Sequence, residues 1–404
     1  MPAALEGVRV ADFSHVFAGP YCTLILADMG AEVIKIEPPK GEAARGFMPP
    51  DLGGESPAFL SMNRNKKGVV LDLGTEEGRQ VALDIVARAD ILMENFATGV
   101  MQRLGLDFDT LAQSNPRLIY CSISAYGRSG RFADRVGYDP VVQAESGLMW
   151  LNGFADGEPH KSAMAMIDLT TGMFAAHAIL AALYARAASG RGQFIDVPLF
   201  DNAASLCSYQ TMNYLVSGVD PPRLGNNSPI VAPVDLFDAQ DGKFFMTVGG
   251  DNVWQKLVKA LGNPPQLQLS EYATNSARMQ NEAKLKPVLQ RLFGQAPLAH
   301  WIARLRDGGV PAGPIRSIAE AVNSPEVKER AILGTAPHTK AGEVPNLRLP
   351  LELAGTPLRE PRGAPVLGEH THSLLSELLH YDAGRIAGLE QTGVIPPAPA
   401  RTRA

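Results

Sequence analysis

The chain has 404 residues, of which 45% are hydrophobic and 20% are charged, as in an ordinary soluble globular protein. The 37 basic and 42 acidic side chains give a formal net charge of -5, which excludes the strongly basic surface of a nucleic-acid-binding protein. Three cysteines exclude a disulfide scaffold, and the length exceeds one ordinary hydrophobic core. We therefore expect about two domains and no nucleic-acid partner.

The sequence predicts no membrane span, leader or metal site. The most apolar stretch, 174–185, is shorter than the ~20 residues of a spanning helix and contains His177. The first residues lack the basic and apolar regions of a secretory signal, so we expect a cytoplasmic location without membrane contact. His370 and His372 have no acidic or cysteine partner at ligand spacing, and the three cysteines lie far apart, so we expect no metal site.

Strands and helices alternate in the first half of the chain. The sequence predicts a strand at Val8–Phe13, a helix at about Pro20–Met29 with Pro20 as its first residue, and a strand at Glu32–Glu37. Such a unit joins parallel strands by a right-handed crossover. The alternation is typical of an α/β domain with a mostly parallel sheet. Further strands are predicted at 69–71, 91–93, 118–122 and 194–197, and further helices at 76–88, 139–150 and 170–188.

The pattern changes near residue 220, where prolines and glycines are dense. Strands at 234–237 and 244–248, separated by Asp241-Gly242, predict a hairpin. Helices follow at about 252–261, 281–293 and 298–306, as in a smaller α+β domain. We expect residues 335–368 to form an extended return linker, two short helices to follow, and the tail from Gln391 to be disordered or loosely bound.

The loop 12–20 after the first strand lies where parallel sheets bind ligands. Its single glycine does not match the dinucleotide-binding pattern G-x-G-x-x-G, which disfavours a nicotinamide enzyme even though Glu37 ends the next strand. For His15 alone, a structural role in this loop, a hydrogen bond to the backbone, is the favoured interpretation.

Two further segments could bind phosphates or a purine. The basic cluster 63–68 could hold phosphates, but its composition alone favours a solvated surface turn. Phe96, which follows the strand 91–93, could stack on a purine, and Arg103 could reach a phosphate. Ordinary packing and a surface ion pair would explain both residues equally well.

Asp168 follows an apolar run and precedes the predicted helix 170–188. Aspartate is a preferred helix N-cap, and that role is sufficient to explain a lone residue. Asp168 could also be a catalytic nucleophile. A helix N-terminus stabilises an ionised carboxylate, and such a group can act as a nucleophile. Gly172 would leave room for a ligand to approach the first turn.

Five segments, taken together, decide between these interpretations: DFSHVFAGPYCTLILADMGAEVIKIE, NRNKKG, ENFATGVMQRLG, GYDPVVQAESG and MIDLTTGM. They closely resemble the class III CoA-transferase family of CaiB/BaiF type, which also contains formyl-CoA, carnitine and bile-acid CoA-transferases and α-methylacyl-CoA racemases. The resemblance covers nearly the whole chain and is strongest over residues 5–210. It implies a Rossmann-like large domain formed by residues 1–220 and 330–404, a small domain at 221–329, and a homodimer of interlocked, ring-shaped subunits.

The resemblance also implies the site residues, with Asp168 as the nucleophile. The positions that would contact coenzyme A are Phe17, Ala18, Leu71, Asp72, Leu73, Gly74, Asn95, Phe96, Ala97, Arg103, Arg135, Val136, Gly137 and Tyr138. The residues expected near the acyl group or in a gating loop are His15, Phe47, Met48, Gly249 and Gly250. The partners are an acyl-CoA and a small carboxylic acid. Because coenzyme A enters as a substrate, no permanently bound cofactor is expected.

Two departures from the family pattern concern the substrate and the CoA phosphates. Formyl-CoA:oxalate members carry Gln where this chain has Phe17 and Trp where it has Met48, which disfavours oxalate. Members with an arginine after the second strand use it on CoA, whereas this chain has Pro38 there. The candidates to replace that charge are Lys40, Arg45, Arg64, Lys66 and Lys67.

Two other functions are open on the same fold. An α-methylacyl-CoA racemase uses a His–Asp pair, but its Gly-His-Asp motif reads Gly137-Tyr138-Asp139 here. Tyrosine, with an ordinary pKa of about 10, is a poor base near pH 7. A non-catalytic acyl-CoA-binding subunit would require Asp168 to be only a helix cap.

Overall fold

The computed structural model describes residues 2–398. The strands are β1 (Arg9–Asp12), β2 (Glu32–Glu37), β3 (Lys66–Val70), β4 (Ile91–Glu94), β5 (Ile119–Ser124), β6 (Phe194–Pro198), β7 (Val234–Asp238), β8 (Lys243–Thr247), β9 (Ala312–Pro314), β10 (Leu333–His338) and β11 (Gly342–Leu347).

The α-helices are α1 (Ala18–Asp28), α2 (Pro57–Asn63), α3 (Glu76–Val86), α4 (Val100–Leu104), α5 (Phe108–Ser114), α6 (Asp139–Glu145), α7 (Leu148–Leu151), α8 (Met166–Ser189), α9 (Leu199–Leu206), α10 (Ser208–Ser217), α11 (Asp251–Ala260), α12 (Asn275–Gln280), α13 (Glu282–Phe293), α14 (Leu298–Asp307), α15 (Ile318–Val322), α16 (Pro325–Glu329), α17 (Thr371–Glu377) and α18 (Ala383–Gln391). Short 3-10 helices lie at Ala43–Gly46, Pro265–Leu267 and Ser270–Tyr272.

A six-stranded parallel sheet has the order β3-β2-β1-β4-β5-β6. Helices α1 and α8 cover one face through an apolar cluster, and α3, α17 and α18 cover the other. The predicted α/β class is confirmed. The strand order reverses between β1 and β4, and open sheets of this kind bind ligands outside the carboxyl ends of the strands at the reversal.

Two helices begin earlier than the sequence predicted. α1 begins at Ala18, so Pro20 lies inside its first turn, and α8 begins at Met166, so Asp168 lies inside the first turn rather than at the cap. The N-cap residues, Phe17 and Ala165, make no side-chain capping hydrogen bond. Such a start leaves no local signal in the sequence, because the usual signal is a capping Ser, Thr, Asp or Asn.

The C-terminal part is more structured than the sequence predicted. The expected extended linker contains an antiparallel hairpin, in which β10 pairs with β11. The expected loose tail is also wrong as far as residue 398, because Val394 and Ile395 are buried in the core under α18 and the Asp72 N–H donates to Val394 O at 2.9 Å. The part of the predicted tail beyond residue 398 lies outside the described residues.

The chain forms two compact units, whose limits differ from the predicted domains. The smaller unit combines Met149–His160 with Gln210–Val327, and the larger unit contains the described residues on either side of these segments. In the smaller unit, β7, β8 and β9 form an antiparallel sheet that packs with helices around Phe237, Phe244 and Phe293.

Helix α8 is long and apolar enough to cross a membrane by length and composition alone. The sequence analysis placed the apolar stretch at 174–185 and therefore did not identify it. On one side of this helix Ala175, Ile179 and Ala182 are buried in the cluster formed with α1 and the sheet. This packing accounts for the apolar composition of that side.

The buried tail provides a test of the fold. We expect Ile395→Ala to lower the free energy of unfolding by about 2–5 kcal/mol, because it empties a packed site in the core. Denaturant unfolding of the purified protein measures this change. The matched control is Ile318→Ala, whose side chain is exposed and which we expect to change stability by less than about 0.5 kcal/mol. Equal stability of the two variants would show that the tail does not contribute to the core.

Candidate active site

A cavity of about 530 Å³ lies at the carboxyl ends of β1, β4 and β5, beside the reversal of strand order. The loop after each of these strands contributes to its wall, together with Phe47, Leu199 and the first turn of α8. Most of the lining is apolar, and Asp168 and Asp134 are the carboxylates among its lining residues. The fold therefore brings Asp168 to the place where an α/β sheet binds its ligand.

The first turn of α8 is capped by a residue from another helix. Asp139, at the start of α6, accepts hydrogen bonds through Oδ2 from the N–H groups of Ile167 (2.7 Å) and Asp168 (3.1 Å). Its Oδ1 accepts from Gln143 Nε2 at 2.5 Å. Asp139 thus satisfies the free amides of the helix, and the Asp168 side chain has no capping role.

The pKa of Asp168 is raised from 3.8 to about 7 by burial and by the negative charge of Asp139. Within residues 2–398, no hydrogen bond or ion pair offsets this effect at the Asp168 carboxylate. The sequence analysis expected the helix N-terminus to stabilise the ionised form. That expectation is wrong, because Asp139 occupies the amides that would have done so.

Gly172 brings α8 close to α1. A Cβ atom at this position would lie 2.5 Å from Ala18 O, which is closer than any side chain tolerates. The missing side chain therefore makes room for the α1 backbone. The sequence analysis had expected it to make room for a ligand, and that expectation is wrong. This close approach sets Asp168 beside the residues that begin α1, which line the same cavity.

His15 and Asn95 are bound to each other across the cavity wall. Asn95 Oδ1 accepts from the His15 N–H at 2.8 Å, and Asn95 Nδ2 donates to His15 O at 2.9 Å. The His15 ring lies edge-on to Phe96, with 5.1 Å between ring centroids. Burial and the Lys35 ammonium lower the pKa of His15, so its imidazole is neutral near pH 7.

The cavity brings together many of the predicted site residues. Those that line it are His15, Phe17, Ala18, Phe47, Asn95, Phe96, Ala97, Arg135, Val136, Gly137, Tyr138 and Asp168. Those that do not are Met48, Leu71, Asp72, Leu73, Gly74 and Arg103. Gly249 and Gly250 belong to the smaller unit, where they precede α11. The roles of all these residues in binding and catalysis stay predictions.

Sequence reasoning missed part of the lining: Val16, Ala43, Thr98, Ile123, Ser124, Ala125, Arg128, Ala133, Asp134 and Leu199. The most connected of them is Arg128, which donates to Phe96 O at 2.8 Å, to Ile123 O at 2.9 Å and to the Glu94 carboxylate at 3.0 Å. Arg128 thereby ties the loop after β4 to the end of β5. Its position in a Gly-rich loop directly after a predicted strand was the available signal.

The basic residues proposed to bind CoA phosphates are mostly engaged elsewhere. Arg64 is paired with Asp28 (2.6 Å), Lys66 with Asp12 (3.2 Å), Arg45 with Glu37 (2.7 Å) and Lys67 with Glu32 (2.6 Å). Of the proposed set, Lys40 has an exposed side chain and no ion pair within residues 2–398.

His370 and His372 also have other partners. His370 Nδ1 accepts from the Gly68 N–H at 3.2 Å, and His372 Nε2 lies 2.5 Å from Glu390 Oε1. Among the residues that the structure describes, no cluster of His, Cys, Asp and Glu side chains has the geometry of a metal site.

Comparisons with known proteins identify the family of this chain. Residues 5–371 match the family described as CoA-transferase family III. The chain belongs to this family. It is 39% identical over 382 residues to a protein named acetyl-CoA:oxalate CoA-transferase from Acetobacter aceti, covering 94% of this chain and 96% of that protein. It is 37% identical over 381 residues to a succinate–glutarate CoA-transferase from Agrobacterium fabrum, covering 93% and 95%.

A solved structure shows the same fold. A CAIB/BAIF family protein from Brucella suis has a TM-score of 0.85 and 37% sequence identity, covering 94% of this chain and all of that chain. The family and the enzyme class expected from the sequence, a CoA-transferase, are therefore confirmed.

The pKa of Asp168 generates a prediction about pH. If the ionised carboxylate is the reactive form, kcat/KM falls as pH drops below about 7. Asp139→Asn removes one of the two causes of the raised pKa, so we expect the acidic limb of the profile to move down by about one pH unit. Steady-state kinetics over about two pH units on either side of that pKa measure this shift.

The matched control for this profile is Glu145→Gln. It removes a like charge from the same helix, and Glu145 is not among the causes of the Asp168 shift. Its acidic limb is expected to stay in place. An acidic limb that moves equally in both variants, or in neither, would contradict the assignment of this limb to the ionisation of Asp168 beside Asp139.

Proposed function

We propose that this enzyme transfers coenzyme A from an acyl-CoA to a small carboxylic acid through covalent intermediates on Asp168. The observation that carries the proposal is the position of Asp168, which lies in a mostly apolar cavity at the reversal of the sheet with its pKa raised to about 7. A carboxylate of this pKa is ionised in part near neutral pH and is more basic than an ordinary aspartate, which favours nucleophilic attack.

The proposed reaction has two anhydride steps. The Asp168 carboxylate attacks the thioester carbonyl, which forms a mixed anhydride and releases the CoA thiolate. The thiolate attacks the aspartyl carbonyl, which forms aspartyl-CoA and releases the donor acid. The acceptor carboxylate attacks aspartyl-CoA and forms a second anhydride, and the released thiolate then attacks its acceptor carbonyl and regenerates Asp168.

Each covalent intermediate conserves the activation of the thioester. A serine nucleophile would instead give an ordinary oxygen ester, and the energy needed to form the second thioester would be lost. Water must be excluded while the anhydride exists, and the apolar wall that includes Phe17, Phe47 and Leu199 serves this purpose. The family resemblance implies that Gly249 and Gly250 belong to a gating loop with backbone amides suited to an oxyanion, and that role stays a prediction.

The substrates proposed are an acyl-CoA and a short carboxylic acid. The relatives named above act on oxalate, succinate and glutarate by their names. In this cavity Phe17 and Phe47 lie with their ring centroids 6.2 Å apart, which favours an acyl group larger or less polar than oxalate. We propose that CoA is bound through the predicted contact positions, without a permanent cofactor, a membrane or a nucleic acid, in the cytoplasm.

The proposal predicts a covalent adduct. Incubation of the wild type with acyl-CoA and no acceptor acid should add the mass of CoA to the protein, and hydroxylamine should then convert Asp168 to a hydroxamate. Asp168→Asn should form no adduct and transfer no CoA. The control is Asp134→Asn, which removes the other carboxylate of the lining and should still form the adduct. Intact-mass and peptide mass spectrometry measure each outcome.

Loss of activity in Asp168→Asn must not reflect unfolding. Because the pKa of Asp168 is about 7 in the folded protein and 3.8 in its ordinary state, the folded protein holds its proton to higher pH, and stability decreases as pH rises between these values. Asp168→Asn should therefore melt at a higher temperature than the wild type at pH 8. CoA transfer by this variant at near wild-type rate would refute the mechanism, and deuterium entering the acyl α-carbon without an acceptor would favour a racemase.

We also propose that the enzyme is a homodimer of interlocked subunits. The exposed face of α10 contains large apolar residues, including Leu215 (67% exposed) and Val216 (82% exposed). Exposure of several such side chains on one helix is typical of a surface that another protein covers. Light scattering at micromolar concentration should give twice the chain mass of 43.2 kDa. A folded species of the single-chain mass would refute interlocking, because interlocked chains separate only by unfolding.

A further inference from the structure

The turn between β1 and α1 is strained at Val16. Its φ is 69°, in the left-handed region that β-branched residues very rarely adopt. Phe17, the N-cap of α1, and Ala18, its first residue, follow directly and line the cavity that contains Asp168. A strained backbone persists only where the surrounding structure holds it. The groups that hold Val16 therefore determine the shape of this wall of the cavity.

Side chains from other elements hold the backbone at and before the strained residue. Both peptide groups of His15 are bound by Asn95, as described above. The Val16 N–H donates to Glu42 Oε2 at 2.7 Å. A charged acceptor makes this a stronger hydrogen bond than one to a neutral oxygen.

Glu42 is itself held by buried charges. Its Oε1 lies 2.9 Å from Lys35 Nζ, and neither side chain is exposed to solvent. Lys35 also donates to Ser14 O at 2.9 Å, so the same ammonium holds the turn at a second point. The Glu42 N–H donates to Glu37 Oε2 at 3.1 Å, and Arg45 binds Glu37 through two hydrogen bonds of 2.7 Å.

A contribution to folding stability does not by itself explain why the ion pair of Lys35 and Glu42 is buried here. Burial of two charges costs solvation free energy, and apolar side chains of similar size often serve equally well. Burial would by itself lower the pKa of Lys35, but the carboxylates of Glu42, Asp12 and Glu37 raise it above its ordinary value. Lys35 is therefore charged, and what the pair provides is a directed acceptor for the Val16 N–H.

We propose that Glu42 is a positioning residue that holds Val16 in the left-handed conformation and thereby sets Phe17 and Ala18 against Asp168. Glu42 does not line the cavity, so it does not contact the substrate. It also accepts from the Ala44 N–H at 3.3 Å as the cap of the 3-10 helix Ala43–Gly46, and the Val16→Gly background described below separates that role from positioning of the turn. This inference rests on the proposed function, because its main readout is the reaction at Asp168.

A second buried ion pair supplies the matched control. Asp28 and Arg64 are joined by a 2.6 Å contact, and both side chains are almost fully buried, as in the pair Lys35 and Glu42. Neither Asp28 nor Arg64 lines the cavity. Asp28→Asn therefore reports the cost of breaking a buried pair in the same unit without changing the turn.

The test compares Glu42→Gln with Asp28→Asn in the full-length protein. Both should lower the melting temperature, but only Glu42→Gln should reduce the rate of adduct formation on Asp168, by about 10- to 100-fold, as expected for a small displacement of reacting groups. The effect should fall mainly on kcat rather than on KM.

A glycine at the strained position separates positioning from other effects. Glycine adopts positive φ without steric cost, so Val16→Gly should remove the need for Glu42. In the Val16→Gly background, adding Glu42→Gln should reduce the rate by less than about 3-fold, which is the non-additivity expected of coupled residues. An unchanged effect of Glu42→Gln in this background would overturn the inference.

The outcomes also separate this inference from the proposed function. Equal rates for Glu42→Gln and Asp28→Asn, with wild-type adduct formation intact, overturn the inference alone. If the wild type forms no adduct, the proposed function fails, and amide hydrogen exchange then decides the inference: Glu42→Gln should speed exchange of the Val16 N–H, which donates to Glu42 in the wild type, and Asp28→Asn should not. If Glu42→Gln does not fold, recovery of a folded, adduct-forming protein in the double variant supports the inference, and failure to recover overturns it.

Discussion

The hydrogen bonds that Asp139 accepts from the first turn of α8 determine the state of Asp168. A helix N-terminus has free N–H groups and a partial positive charge, and both would favour an ionised carboxylate nearby. Asp139 takes the amides of Ile167 and Asp168 and adds a negative charge of its own. Asp168 is left in a partly buried position without compensation, which raises its pKa to about 7.

The two walls of the cavity are built on different principles. The wall at α8 depends on close packing, because only glycine at position 172 lets α8 approach the Ala18 carbonyl. The wall at the β1–α1 turn depends on charge, because Lys35 and Glu42 hold a turn that is strained at Val16. The first turn of α1 therefore depends on both close packing and buried charge, and it lines the same cavity as Asp168.

The fold could be predicted from the sequence further than the site could. The hydrophobic pattern and the helix-breaking residues predicted a strand at Glu32–Glu37 with its observed bounds, because such patterns are local properties of the sequence. The start of α8 could not be predicted, because its capping carboxylate, Asp139, lies on another helix. For the same reason the sequence left the cluster around Arg64 and Lys66 open between a phosphate site and a solvated turn, whereas both side chains are buried and paired with carboxylates distant in sequence. Family motifs identified Asp168, but neither its raised pKa nor the role of Arg128 is a local property of the chain.

A raised pKa affects the direction in which the proposed anhydride reacts. When the CoA thiolate attacks the mixed anhydride, one of two carboxylates must leave, and the less basic one leaves more readily. Attack on the aspartyl carbonyl expels the donor acid, whose carboxyl has an ordinary pKa of about 4, whereas attack on the acyl carbonyl expels Asp168, whose pKa is about 7. The difference favours transfer of CoA onto the enzyme over return to the starting thioester. The same environment that makes Asp168 a better nucleophile therefore also makes it a poorer leaving group. It favours loading of CoA onto Asp168 and opposes the final step, in which thiolate attack on the acceptor carbonyl expels Asp168.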